Sequence, residues 1–186
     1  MEGWIIVLII GSILLLFLIF IGTTYNSLVS LRNKVKDQWA QIDVLLKRRT
    51  DLIPNLVETV KGYAKHESET LENVIAARNK VVDAITTEEE IKADGELSKA
   101  LGRLMAVAEA YPDLKSNTNF LDLQANLKET EDKIQYARQF YNDAVLIYKN
   151  KLEMFPSNIV ASMFGFKQEA FFEASKADKE VPKVQF

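Results

Sequence analysis

The chain has 186 residues, 48% hydrophobic and 26% charged, enough for one packed domain beside any membrane segment. With no cysteine and one histidine, His66, it cannot form disulfides, use a thiolate nucleophile or build a zinc site of two or three imidazoles within one chain. The net charge of -3 is unevenly spread: eight bases against four acids give +4 from Thr24 to Lys65, while five bases against eleven acids give -6 from Asp83 to Glu131.

After a three-residue N-terminus expected outside the membrane, Trp4 to Ile21 is an 18-residue run without a charge, interrupted only by Gly11 and Ser12. As a helix it is about 27 Å long, close to the ~30 Å hydrocarbon core of a bilayer. Residues 4–22 are therefore read as a transmembrane anchor, bracketed by Trp4 and Tyr25 as interfacial aromatics. A cleaved signal peptide would want a basic start and a small-residue cleavage site. The start instead carries Glu2 and no base, and Gly22-Thr23-Thr24-Tyr25 is a poor site, so the anchor is expected to be retained. Basic residues flank only the C-terminal side (Arg32, Lys34, Lys36), which places the N-terminus outside and the following domain in the cytoplasm. Those three cations would face lipid headgroups, although Asp37 and Asp43 dilute the patch.

From Leu28 apolar residues recur every three or four positions through Leu31, Val35, Trp39, Ile42, Leu46, Ile53, Leu56 and Val60. The pattern predicts one amphipathic helix of about forty residues, continuous with the anchor or nearly so, kinked at Pro54. A second helix carries Leu71, Val74, Ala77 and Val81, and Thr87 with Glu90 reads as a capping box opening the third. The third helix aligns Leu97, Leu101, Leu104 and Ala108, beside a small-residue stripe (Ser98, Gly102, Ala106, Ala110) that would admit a close neighbour. Tyr111-Pro112-Asp113 breaks the chain, and Ser116 to Asn119 offers several N-caps. The fourth helix is expected from about Phe120 to Phe155, with a seam of Phe120, Leu127, Ile134, Tyr141, Tyr148 and Phe155, all seven apart.

Pro156 ends it, and a Phe-rich segment, 156–172, follows before a charged tail, 173–186, expected to be disordered. The fold class is thus all-α: a transmembrane helix, then an antiparallel bundle over 24–172, mostly up-down-up-down. The outer helices, about 60 and 54 Å, outlast the middle pair at about 30 Å. Their free seams need cover from the C-terminal segment or from a second copy.

Several stretches resemble the LemA family of bacterial membrane proteins. They are Tyr25-Asn26-Ser27-Leu28-Val29, Lys47 to Val57 (KRRTDLIPNLV), Leu101-Gly102-Arg103-Leu104, Ala108 to Lys115 (AEAYPDLK), Ala137 to Asn142 (ARQFYN), Phe155-Pro156 and Gly165-Phe166. The resemblance implies an N-terminal anchor in the bacterial cytoplasmic (inner) membrane, a cytoplasmic domain of antiparallel helices, and no established enzymatic activity. A relative in magnetic bacteria is tied to magnetosome membranes, which implies a membrane-organising role.

Arg48, Arg49, Asp51 and Asn55 form the densest polar cluster on the first helix. They read either as a contact for a partner or lipid headgroup, or as an internal ion-pair network in which Asp51 pairs with Arg48 at the Pro54 kink. The network is preferred. His66 and Glu67, adjacent on a helix, point about 100° apart and do not converge as an acid–base pair. Glu88-Glu89-Glu90 lacks calcium-loop spacing and fits a helix N-terminus. Phe164, Phe166, Phe171 and Phe172 either pack on the bundle or lie in the membrane interface.

No catalytic residue, metal site or cofactor is indicated, and no basic patch interleaved with aromatics points to nucleic acid. The expected partners are membrane lipid and further copies of the chain, with another membrane protein as a further candidate. The reading is a non-enzymatic, self-associating scaffold. The alternative is an adaptor or stress-response accessory to a membrane protein such as a protease.

Overall fold

The computed structural model describes residues 2–172; Met1 and the tail 173–186 lie outside the described residues. Among the described residues there are six helices and no strand: α1 (Glu2–Tyr63), α2 (Ser68–Asp83), α3 (Thr87–Ala108), α4 (Pro112–Lys115), α5 (Thr118–Glu153) and α6 (Ser157–Met163). The anchor and the first amphipathic helix are one element of 62 residues, about 93 Å long at 1.5 Å per residue. Gly22-Thr23-Thr24 does not interrupt it, and the Thr23 hydroxyl donates back to the carbonyls of Ile19 (2.9 Å) and Phe20 (3.0 Å).

Pro54 does not stop α1 either. A proline at this position leaves the Thr50 carbonyl without its usual partner four residues on. Arg78 of α2 supplies a replacement, its Nε donating to Thr50 O at 3.4 Å.

Two compact units result. The first comprises residues up to Trp39 with Phe140–Glu169. Its core is Leu28 and Val35 from α1, Tyr141, Ala144, Val145 and Tyr148 from α5, and Val160 and Ala161 from α6. Trp39 meets Tyr141 edge-on at 5.3 Å. A cis Phe155–Pro156 peptide joins α5 to α6, and the Ser157 hydroxyl donates to the carbonyls of Lys151 and Met154. The second unit comprises Ala40–Gln139 with the described residues from Ala170. One continuous cluster fills it, with Leu56, Val60, Val74, Leu97, Leu104 and Leu114 almost wholly buried. Each such aliphatic side chain contributes about 1.5–3 kcal/mol by leaving water.

The seven-residue seam of α5 holds for Phe120, Leu127, Ile134, Tyr141 and Tyr148, all buried. It fails at Phe155, which is 80% exposed, because α5 ends at Glu153 and the chain turns away before the next repeat. The capping box lies one residue earlier than the sequence suggested. Thr86 has extended geometry and its hydroxyl accepts the Glu89 N–H at 3.2 Å, while Glu89 accepts the N–H groups of Ile85 and Thr86. Beyond Ser98, which accepts from Arg49 of α1, the small-residue stripe of α3 is not a helix contact: Gly102, Ala106 and Ala110 are exposed, and a Cβ on Gly102 would meet nothing within 4 Å. Between α3 and α5 the chain makes one unexpected turn of helix, α4, which buries Leu114. Asn117 then caps α5, accepting the Phe120 N–H at 3.0 Å.

Candidate membrane interface and buried charge network

The interface begins where the apolar run of α1 ends. From Trp4 to Ile19 its large side chains are exposed all round the helix, and mean hydropathy reaches 3.3 over 18 residues. A helix apolar on every face and uncovered by protein has membrane-spanning length and composition. One turn beyond Ile21, Tyr25 meets Phe164 (ring centroids 4.8 Å) and Phe166 (5.6 Å), and the Arg32 guanidinium lies 5.3 Å from the Phe166 ring. Arg32 is thus partly engaged by the C-terminal segment, whereas Lys34 and Lys36 are exposed. Above them the seam tyrosines stay neutral: burial, and then the Glu169 charge, push Tyr141 up to about 12.

The second feature lies within the second unit. Asp94 of α3 is fully buried and pairs with two arginines. Arg49, 4% exposed, donates from Nη1 to Asp94 Oδ1 at 2.8 Å and from Nη2 to Ser98 Oγ at 3.0 Å. Arg138 of α5 donates from Nη2 to Asp94 Oδ2. Glu131 completes the set, 3.0 Å from Arg49 and 4.0 Å from Arg138. Two cations and two carboxylates balance, and the Arg138 guanidinium also lies 5.2 Å from the Phe172 ring.

Of the expected polar cluster, then, only Arg49 enters an internal network, and its partner is Asp94. Arg48 pairs with Glu129 of α5 at 3.9 Å, and Asp51 pairs with Lys47 at 3.8 Å, both on the surface. The Arg48–Asp51 pair therefore does not form, and the group freed by Pro54 is served by Arg78 instead. Asn55 is exposed, with its carbonyl accepting from Thr59. Phe171 is half-buried. His66 is exposed, and no group of three His, Asp or Glu side chains that could hold a metal occurs among the described residues.

Sequence reading missed Asp94, Glu131 and Arg138. The signal was available: Asp94 stands three residues before Leu97, Arg49 three after Leu46, and Arg138 three before Tyr141, each inside an apolar stripe. A charge in such a stripe requires a partner on a facing helix.

The register of α3 also turns Glu90 inward beside Asp43 of α1, where the two line a cleft of about 230 Å³ with Lys47, Asp51 and Arg78. Burial, then the Asp43 charge and a hydrogen bond to Asp43, push Glu90 up to about 7. The folded chain therefore holds a proton here that the unfolded chain, titrating near 4.5, releases earlier. Between those values the folded state binds more protons, so this group's contribution is full below about 4.5 and is lost as pH rises through about 7. With partial solvent screening the effect is about 1 kcal/mol. Glu90→Gln keeps a donor toward Asp43 without the charge. Thermal melts should show the variant gaining about that much on the native chain between about pH 5 and about pH 8. An unchanged difference across that range would remove the shared proton from the account.

These features define a class: an all-helical protein with one N-terminal apolar helix of membrane-spanning length. The chain belongs to the LemA family, whose sequence profile matches residues 38–186. Magnetosome protein MamQ 2 of Paramagnetospirillum magneticum is 28% identical over 179 residues, covering 82% of this chain and 66% of that protein. Magnetosome protein MamQ of Magnetospirillum gryphiswaldense is 25% identical with the same coverage, 82% and 66%. Protein LemA of Metamycoplasma hominis is 26% identical over 175 residues, covering 89% of this chain and 80% of that one. The chain thus spans just under two thirds of the magnetosome relatives' length.

Proposed function

We propose that this protein is a non-enzymatic scaffold of the bacterial inner membrane, held by one span with its N-terminus outside and its helical domain in the cytoplasm. The observation that carries the reading is the continuity of α1: an exposed apolar cylinder passes without a break into a helix that contributes to both packed units. Such a helix ties a folded domain to lipid with little slack. The one-sided placement of Arg32, Lys34 and Lys36 supports the orientation. The magnetosome names of two relatives support a membrane-organising role.

Self-association is the second part of the proposal. Phe140 and Ile147 of α5, seven residues apart and so on one face of the helix, stand exposed outside the buried seam, where a second copy of the same helix could pack. Cross-linking of full-length protein in lipid nanodiscs and in detergent should give discrete oligomers. Phe140→Ser with Ile147→Ser should reduce them about tenfold, the equivalent of about 1.4 kcal/mol. A strictly monomeric chain in both environments would rule the scaffold out.

A further inference from the structure

The first unit contains an apolar surface that is uncovered among the described residues. Met154 and Phe155 follow the end of α5, Ile159 and Met163 lie on α6, and Phe164 closes α6; each is at least half exposed. The other side of α6, through Val160 and Ala161, is buried. A seven-residue helix with one face in the core and the other face apolar and bare needs something besides water against it.

The register of α5 against α1 says what that is. Trp39 meets Tyr141, and seven residues further down α5 Tyr148 feels the charge of Arg32, which is seven residues back along α1. The two helices run antiparallel and keep step. Five more residues bring Glu153, the end of α5, level with Ser27, and the ring contact of Phe164 with Tyr25 puts the end of α6 within about one helical turn of that height. Tyr25 stands four residues beyond Ile21, about 6 Å above the end of the apolar run.

We propose that this surface is a second membrane contact: the α5–α6 corner sets Met154, Phe155, Ile159 and Met163 into the headgroup and upper acyl region of the same leaflet from which α1 emerges. The apolar side chains lie within the depth that interfacial helices reach, about 5–10 Å. Lys151 and Lys167 flank the corner, where anionic headgroups would receive them, while Lys149 pairs with Glu153 at 4.0 Å. The protein would then stand on two points, a span and a foot. Tilting of α1 in the bilayer would be resisted by lifting four apolar side chains out of lipid.

The inference rests on α1 spanning the membrane, and its test separates the two. Because the chain has no cysteine, single cysteines can be introduced and labelled with an environment-sensitive fluorophore. Full-length protein carrying Phe155→Cys, Ile159→Cys, Leu14→Cys or His66→Cys is reconstituted into phosphatidylethanolamine–phosphatidylglycerol vesicles containing lipids spin-labelled at the headgroup or deep in the acyl chain. Labels at 155 and 159 should shift to the blue and lose about half their emission or more to the shallow quencher, as expected for an interfacial depth. The label at 14 should respond to the deep quencher and the label at 66 to neither. Quenching at 14 without quenching at 155 and 159 overturns the foot and leaves the anchor standing. No quenching at 14 overturns both. A blue shift at 155 without quenching means that protein, either a second copy or the chain's own tail, covers the surface, and it also overturns the proposal.

Discussion

Asp94→Ala should destabilise the folded chain by about 3–5 kcal/mol, because it strands two arginines around an emptied site. Arg49 has little access to water, since its side chain is 5% exposed. Its Nη1 would retain only Glu131, itself 39% exposed and already shared with Arg138. At about 2–4 °C per kcal/mol for a chain of this size, the melting temperature should fall by roughly 6–20 °C. Circular dichroism of full-length protein in detergent measures it, and a loss under about 1 kcal/mol would mean that the arginines find other partners. Asp94→Asn separates charge from shape: it keeps the side-chain volume and one acceptor, so it should lose most of the same energy. Converting the set to apolar residues (Arg49→Met, Asp94→Leu, Arg138→Met) should recover much of the stability, since a buried pair often gains little net energy over packed aliphatics. If Asp94→Ala is severe and the triple replacement is mild, the network specifies which helices meet and at what register, more than it holds them together.

That distinction explains what could be read from the sequence. Period and breakers gave the elements: the apolar residues of α1 resume in phase at Leu28, Val74 and Leu97 mark their helices, and Pro156 follows the end of α5 closely. Pairing between helices is another matter. The energy of placing a leucine in a core is nearly independent of which leucine it meets, so hydrophobic stripes do not name their partners. Charges inside stripes do, and Arg49, Asp94 and Arg138 were such charges. Reading Arg48, Arg49, Asp51 and Asn55 together as a local cluster hid the fact that Arg49 points to a different side of the helix from Asp51. The one-residue shift of the capping box has the same origin. Thr86-Glu89 and Thr87-Glu90 are equally good boxes by spacing; Thr86 takes the extended conformation and pairs with Glu89, leaving Glu90 out of the box and beside Asp43. Near the end of α5, Phe155 fits the heptad as well as Tyr148 does. Only the helix end at Glu153, which spacing does not encode, moves it from the seam to the surface.

Three arginines at the centre of the apolar run, Ile10→Arg, Ile13→Arg and Leu16→Arg, should release the protein from membranes, whereas Ile13→Arg alone should not. Fifteen of the eighteen residues from Trp4 to Ile21 are Ile, Leu, Val or Phe. At about 0.3–0.6 kcal/mol each they favour insertion by roughly 4.5–9 kcal/mol. One central arginine costs about 2.5–3.5 kcal/mol and removes one favourable residue, leaving the balance on the side of lipid. Three cost roughly 9–12 kcal/mol and reverse it. Alkaline extraction of cell membranes followed by sedimentation reads the difference: the native chain and the single variant in the pellet, the triple variant in the supernatant. Retention of the triple variant at the native level would mean that something other than this helix holds the protein to the membrane, and the α5–α6 corner would be the first place to look. Loss of the single variant would mean a margin smaller than the residue count gives, with α1 relying on that corner to stay in the bilayer. Either departure is informative because α1 is one helix: a change in how its first third meets lipid is carried, without a hinge, to Tyr25, Arg32 and the residues packed on them.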